Sequence, residues 1–388
     1  DVFGREQPGF DVFVGNPPFV GGRKIKEALG ERFQEWHQAK YPESSANADL
    51  CAFFFLRCFD LLRPGGSLGL IATNTIAQGD TRSTGLRWIC LNGGTIYAAR
   101  KRAKWPGVAA VVVSVVHLLK GTYTGEKTLD DRPASQITAF LFTNGGHEDP
   151  QPLAVNAGKT FQGSIVLGMG FTFDDSGPAD ENTPGIPSPI ATMKRLIAEN
   201  PKNAEAIFPY IGGEEVNSSP THAHHRYVID FRDRSEEECR QMWPELMALL
   251  ESKVKPERTR KRPSGEFVLR SPLPQRWWQH ADKRPALYAA IAKFDRVFAI
   301  ACRAVTNMAI AQIEGANVFD QALVLFADQN LSHFACISCF LHEDWMRFLC
   351  SSIGDIERYS PTDCYVNFPF PASLLDANAN DPAHEAMR

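Results

Sequence analysis

Apolar residues in the first third of the chain gather in short blocks separated by polar, glycine- and proline-rich stretches, and the blocks alternate in character. FDVFVG at residues 10–15 is β-rich; Asp11–Gly15 reads as a strand buried on both faces of a parallel sheet. It runs into Asn16, Pro17, Pro18 and Phe19, and the missing N–H of Pro17 ends ladder pairing there. A polar stretch, Gly21–Ala48, follows as a loop around a short helix. DLCAFFFLRCFDLL, Asp49–Leu62, then predicts an apolar helix stopped by RPGG at Arg63–Gly66. SLGLIAT, Ser67–Thr73, is a second buried strand, Asp80–Leu91 a helix, TIYAARK a third strand and Ala109–Gly121 a fourth. Strand, helix, strand, helix and two neighbouring strands make half of a doubly wound α/β sheet closed by a hairpin.

Beyond residue 121 the pattern loosens. Residues 122–155 predict a polar connector, with one strand expected at Gln136–Thr143, and FQGSIVLGMGFTF from Phe161 opens a second region with its own helices. One of these is Ser188–Glu199, with Ser188 as N-cap and Pro189 at the first helical position. The expected organisation is residues 1–121 as a partial catalytic domain, 122–155 as connector and 156–388 as a mixed α/β second domain.

The chemistry suggested by the first strand is local. A residue before proline is held extended, so Asn16 and Pro17 stand stiffly beyond the strand's carboxyl end, where open α/β sheets bind ligands. Asn16 offers a side-chain carbonyl, Pro17 a backbone carbonyl without a ladder partner, and Phe19 a flat ring. Two acceptors beside an aromatic platform suit a planar ligand that carries an NH2 group.

Composition narrows the setting. With 388 residues, 44% hydrophobic and 22% charged, the chain is long enough for two cores. Lys and Arg number 41 against 45 Asp and Glu, a net charge of −4, so any nucleic-acid contact must come from a local patch. Nine cysteines, an odd number spread over a long chain, predict reduced thiols and a cytoplasmic setting. No run of apolar residues is long enough to span a membrane, and none is expected as a partner. The chain starts at Asp1 with a strand within ten residues, which leads to the expectation of a piece of a longer polypeptide.

NPPF at a strand end, followed by a helix that closes in LLRPGGSLGLI, resembles the adenine-N6 DNA methyltransferases. In that family the tetrad is motif IV, the helix motif V, the GGSLGLIAT strand motif VI, and WPGVAAVVVSVV is similar to motif VIII. PYIGGEEVNSSP with RYVIDF after it, then RWWQHADKRPALYAAI, SCFLHEDW and RYSPTDCYVNFPFP, resemble the recognition region of large single-chain restriction-modification and phage-defence methyltransferases. The resemblance implies transfer of a methyl group from S-adenosylmethionine to adenine N6 in double-stranded DNA. Asn16 Oδ1 and the Pro17 carbonyl would accept the amino hydrogens, Pro18 would stiffen the turn, and Phe19 would stack on the flipped base. Trp105 is a candidate second aromatic wall. The glycine-rich donor loop of the family is not recognised, so the donor-binding half, and any nuclease domain, are expected upstream of Asp1. The fold class expected is α/β: the C-terminal half of a Rossmann-like methyltransferase sheet followed by a target-recognition domain. A fragment that binds DNA without catalysis, or an amino-methyltransferase acting on RNA or protein glutamine, are the competing readings.

In the second region one basic cluster stands out, KVKPERTRKRP at Lys253–Pro263. Lys253, Lys255, Arg258, Arg260, Lys261 and Arg262 are read as phosphate contacts, which confer salt-dependent affinity without sequence information. Arg276 is a further substrate-side candidate, while Trp277 and Trp278 are read as core. Cys336, Cys339 and His342 form a C-x-x-C-x-x-H run without a second ligand pair, so no metal is expected. His222, His224 and His225 read as exposed loop residues, and Glu251 with Lys253 as a chance E-x-K.

Overall fold

The computed structural model describes residues 1–105, 112–304, 308–353 and 356–371. They form two compact units, Asp1–Gln151 with Leu349–Arg358, and Pro152–Phe348 with Tyr359 onward.

The first unit is built on a mixed six-stranded sheet. Its strands are β1 (Phe10–Gly15), β2 (Leu62–Thr73), β3 (Gly94–Lys104), β4 (Val112–Lys120), β5 (Lys127–Leu129) and β6 (Arg132–Ala134), in spatial order β1-β2-β4-β3-β5-β6. β1 is parallel to β2, whereas β4 runs antiparallel to both of its neighbours, β2 and β3. The expected fourth strand is seen from Val112; its first residues, 109–111, lie outside the described ones.

The helices are α1 (Gly22–Leu29), α2 (Glu31–Lys40), α3 (Leu50–Leu61), α4 (Gly79–Arg82) and α5 (Trp88–Leu91), the last two joined by a π-turn into one helical stretch. α3 starts where Asp49 accepts the Cys51 amide and stops where Lys120 reaches over from β4. The Lys120 ammonium takes the carbonyls of Phe59, Asp60 and Leu62 at 2.8–3.2 Å, so a cation satisfies acceptors that a helix end leaves free. Leu50, Phe55, Leu56 and Phe59 of α3 pack on Leu68, Leu70, Ala72, Val116 and Leu118 of the sheet.

Two expectations are corrected in this unit. β1 is not buried on both faces: it lies at the sheet edge, with Val12 55% and Val14 84% exposed while Phe13 packs inward. β2 alternates in the same way, Leu68, Leu70 and Ala72 buried and Gly69, Ile71 and Thr73 half-buried, so the strongly packed face is the one under α3. Gln136–Thr143 is not a strand either. Thr138 and Phe142 close a tight turn with Leu141 at φ 57°, and the chain beyond it is strapped to the α4–α5 stretch. There the buried Arg82 guanidinium lies 3.9 Å over Phe140, donates to the His147 carbonyl and pairs with Asp149.

The second unit contains two four-stranded sheets. β7 (Thr160–Gln162), β11 (Arg296–Ala301), β13 (Ile310–Glu314) and β15 (Leu323–Phe326) form one in the order β13-β11-β15-β7, all antiparallel. β8 (Thr172–Phe173), β9 (Ile207–Ile211), β10 (Arg226–Ile229) and β14 (Val318–Phe319) form the other in the order β14-β9-β10-β8; β12 is the two-residue strand Arg303–Ala304. Helices α6 (Ile190–Glu199), α8 (Glu236–Met242) and α9 (Pro244–Lys253) supply Met193, Leu196, Cys239, Leu246, Met247 and Leu250 to a core around Trp243. Ser188 does not cap α6 as expected. It is bridged to Phe173 with its backbone in the β8 ladder, and the Asp175 carboxylate caps the Ile190 amide instead.

Candidate functional site

The parallel β1–β2 ladder ends at the pair Gly15 and Leu70, but β2 continues three residues further to Thr73. The NPPF tetrad therefore leaves the sheet beside the last residues of β2. Asn16 is exposed, the Pro17 ring is buried, Pro18 is exposed and Phe19 is half-buried. Phe19 opens an open cleft of about 830 Å3 whose other walls are Val20–Lys24, Glu27, Ala28 and Asn47. Asn16 and Pro17 precede Phe19 in the chain and are not part of the lining; the cleft has the Phe19 ring in its wall and two cations, Arg23 and Lys24, on the first turn of α1. Sequence reading placed GGRK in a loop and missed both. The signal was there: paired glycines followed by two basic residues directly after the tetrad. Trp105 lies half-buried at the end of β3, and the six residues after it are outside the described ones.

The basic cluster of the second unit divides into inward and outward cations. Lys253 is fully buried, its ammonium held by the carbonyls of Asp180 and Pro187, and desolvation lowers its pKa. Arg258 is also buried; it donates to the carbonyls of Leu167 at 3.0 Å and Val166 at 2.7 Å, and burial pushes its guanidinium down to about 10. Both staple the start of the unit to the helices, so the expectation that they face phosphates is corrected. Lys255 spans α9 and α10 (Lys255–Arg258) by a 2.5 Å pair with Glu251 and lies over the Trp277 ring at 5.1 Å.

Arg260, Lys261 and Arg262 point outward on a small hairpin. The Val268 amide donates to the Arg260 carbonyl, Lys261 bridges Phe267, and the Arg262 and Glu266 backbones close the turn over Pro263–Gly265. All residues from Arg260 to Phe267 are exposed, as is Arg276. A 350 Å3 hollow lined by Leu167, Gly168, Glu257, Arg260 and Leu269 lies at the hairpin's base. Trp277 and Trp278 are buried, the latter donating to the Arg234 carbonyl at 3.1 Å.

The remaining sequence candidates have local roles. Glu251 is shared by Arg240 and Lys255, whose charges hold its carboxyl down at about 2. His224 meets the Tyr227 hydroxyl and His225 lies 3.4 Å from the buried Glu215 carboxylate, which Arg226 also grips. His342 is buried on α13 (Phe340–Leu349) and shares a hydrogen bond of 2.9 Å with the Tyr359 hydroxyl, whereas Cys336 and Cys339 are half-buried free thiols at the junction of α12 (Leu331–Ile337) and α13. Among the described residues no three His, Cys, Asp or Glu side chains are grouped to hold a metal ion. No helix among them is long and apolar enough to cross a membrane.

The first unit thus presents an α/β sheet whose parallel strand ends in NPPF, and the second is an α/β unit that bears outward cations. Comparison with known proteins finds matches for both parts. Residues 1–96 match the family model of the Eco57I restriction-modification methylase, and residues 190–372 match that of the MmeI target recognition domain. The chain is thus similar to a restriction-modification methylase over its first segment and to a target recognition domain over a later one. Its fold is similar to that of MmeI, a Type IIL restriction-modification enzyme solved in complex with DNA, with a TM-score of 0.71, 17% identity and coverage of 97% of this chain. A Type II methyltransferase, M.XhoI of Xanthomonas vasicola, is 42% identical over 65 residues, which are 17% of this chain and 11% of that protein. The chain spans 48% of the MmeI chain.

Proposed function

We propose that the chain carries the adenine-side pocket and the DNA-recognition part of a site-specific adenine-N6 DNA methyltransferase of the restriction-modification type. The observation that carries the reading is the tetrad's position: an exposed Asn16 and the Pro17 carbonyl at the end of β1, with Phe19 in the wall of an 830 Å3 cleft. The lone pair of adenine N6 is delocalised into the ring. Two carbonyl acceptors on its hydrogens bias the nitrogen towards tetrahedral geometry, and both contacts strengthen as positive charge develops during attack. The nitrogen forms a bond to the methyl carbon of S-adenosylmethionine, the carbon–sulfur bond breaks, the sulfonium becomes a neutral thioether, and one N6 proton leaves to solvent. No side chain with a shifted pKa is needed.

N6 is shielded in a duplex, so the nucleotide must flip. Phe19 then stacks on the extruded base, a contact worth roughly 1–3 kcal/mol by analogy with single-strand binders. Trp105 is assigned to the opposite side of the base. Duplex binding is assigned to the hairpin cations Arg260, Lys261 and Arg262, with Lys255 and Arg276 flanking them, because outward cations on a net-negative chain are the groups free to displace counterions. Asn16→Ala in the full-length protein is expected to abolish methyl transfer from radiolabelled donor to duplex DNA while DNA affinity stays within about twofold. Unchanged transfer by that variant removes Asn16 from the mechanism, and label entering RNA or protein in place of DNA overturns the substrate.

A further inference from the structure

The tetrad's geometry depends on what holds the residue after it. Val20 is held by one short segment: the Leu50 amide donates to the Val20 carbonyl at 2.9 Å. One residue further on, backbone meets backbone so closely that a methyl group on Gly22 would lie 2.3 Å from the Asn47 carbonyl carbon. Residues 20–22 and 47–50 are therefore locked together, and Phe19 is the next residue back.

Asp49 is the hub of this lock. It is only 8% exposed. One carboxylate oxygen accepts the Cys51 amide at 3.1 Å, and the other accepts the Thr73 hydroxyl at 3.4 Å from the last residue of β2. Its own amide donates to the Thr81 hydroxyl at 3.0 Å, and four residues earlier the Ser45 amide donates to Thr84 in the same way. The carboxylate thus ties the first turn of α3 to the end of β2, the Asp49 amide adds the helical stretch at residues 79–91, and the neighbouring Leu50 amide holds the residue after the tetrad. Burial raises the Asp49 pKa, and the donors Cys51 and Thr73 oppose that shift. A helix cap alone would need one of these contacts, and an exposed Ser or Asn would satisfy it.

We propose that Asp49 is a positioning residue for base presentation: it anchors the 47–50 segment, whose Leu50 amide holds Val20, to the end of β2 and so sets where Phe19 and the Pro17 carbonyl stand relative to an extruded nucleotide. The proposal rests on the methyltransferase reading above. A misplacement of about 1 Å at a reacting centre costs on the order of 100-fold in rate, and the lock is what prevents it.

The test uses the full-length protein with its mapped DNA site, substituted by 2-aminopurine at the methylated adenine for fluorescence and unsubstituted for kinetics. Asp49→Ser keeps a capping hydroxyl for Cys51 but is too short to hold Thr73. It is expected to retain the wild-type melting temperature within about 2 °C and DNA affinity within about twofold, to lose about 100-fold in kcat, and to lose the 2-aminopurine signal of the flipped base. Asp49→Asn, whose carboxamide still reaches both Cys51 and Thr73, is expected to recover kcat to within about fivefold. Thr73→Val, which leaves the cap untouched, is expected to lower kcat about three- to tenfold and serves in place of the serine variant if that fails to fold. Wild-type kcat and 2-aminopurine signal in a folded Asp49→Ser or Thr73→Val overturn the positioning role. Wild-type transfer by Asn16→Ala instead overturns the underlying reading, so the two failures are distinguishable.

Discussion

Among the described residues His342 makes a single ring-nitrogen hydrogen bond, to Tyr359, and its buried Nδ1 has no partner. Removal from water and the nearby His333 push its pKa from 6.5 down to about 4. The folded state therefore binds this proton more weakly than the unfolded state, so the contribution of the neutral ring is complete above about pH 6.5 and is lost as pH falls towards 4. The loss is on the order of 3 kcal/mol. Urea titrations of the wild type at pH 7.5 and 5 are expected to show this fall, and His342→Gln to flatten it; a pH-independent wild type would contradict the assignment. At the same scale, Gly22→Ala forces a methyl group into the Asn47 backbone and is expected to cost about 1–3 kcal/mol, measured by thermal denaturation, with a parallel fall in methyl transfer.

The 260–268 hairpin and α3 show how far individual elements are legible in sequence. α3 was, because its apolar run and the following Pro-Gly are local signals; its N-cap at Asp49 was not read, and its second stop, Lys120, comes from a strand 58 residues away from Leu62 and is not local. The strands that follow it were legible for the same reason, but not their one-sided burial, since β-rich composition does not reveal which face a neighbour covers. In the basic cluster, composition gave the charge and not its direction. Lys253 and Arg258 are spent on carbonyls more than 60 residues distant in the chain, while Arg260, Lys261 and Arg262 share a turn whose Pro-Ser-Gly tip was overlooked. Substituting those three by glutamine is expected to reduce the slope of log K against log salt by about 3, at roughly 0.9 per phosphate contact, in fluorescence anisotropy with a duplex. An unchanged slope would assign DNA contact to another surface, and Lys253→Gln, being internal, should lower stability before it changes the slope.

Across the whole molecule, the tetrad and the outward basic hairpin lie in different compact units, the first in residues up to Gln151 and the second in those from Pro152, and the proposed function gives them chemistry and recognition respectively. The tetrad was readable because proline and asparagine have fixed backbone consequences, whereas the lock that supports it joins residues 20–22, 47–50, 73 and 81 and exists only once the chain is folded. With a net charge of −4, binding on this account is confined to one local surface and weakens steeply with salt. The proposed function turns on which atom is methylated. Duplex DNA treated with the full-length protein and S-adenosylmethionine, digested to nucleosides and resolved by mass spectrometry, is predicted to contain N6-methyldeoxyadenosine that disappears with Asn16→Ala. N4-methylcytosine in its place, or N6-methyladenine that persists in the variant, would contradict it.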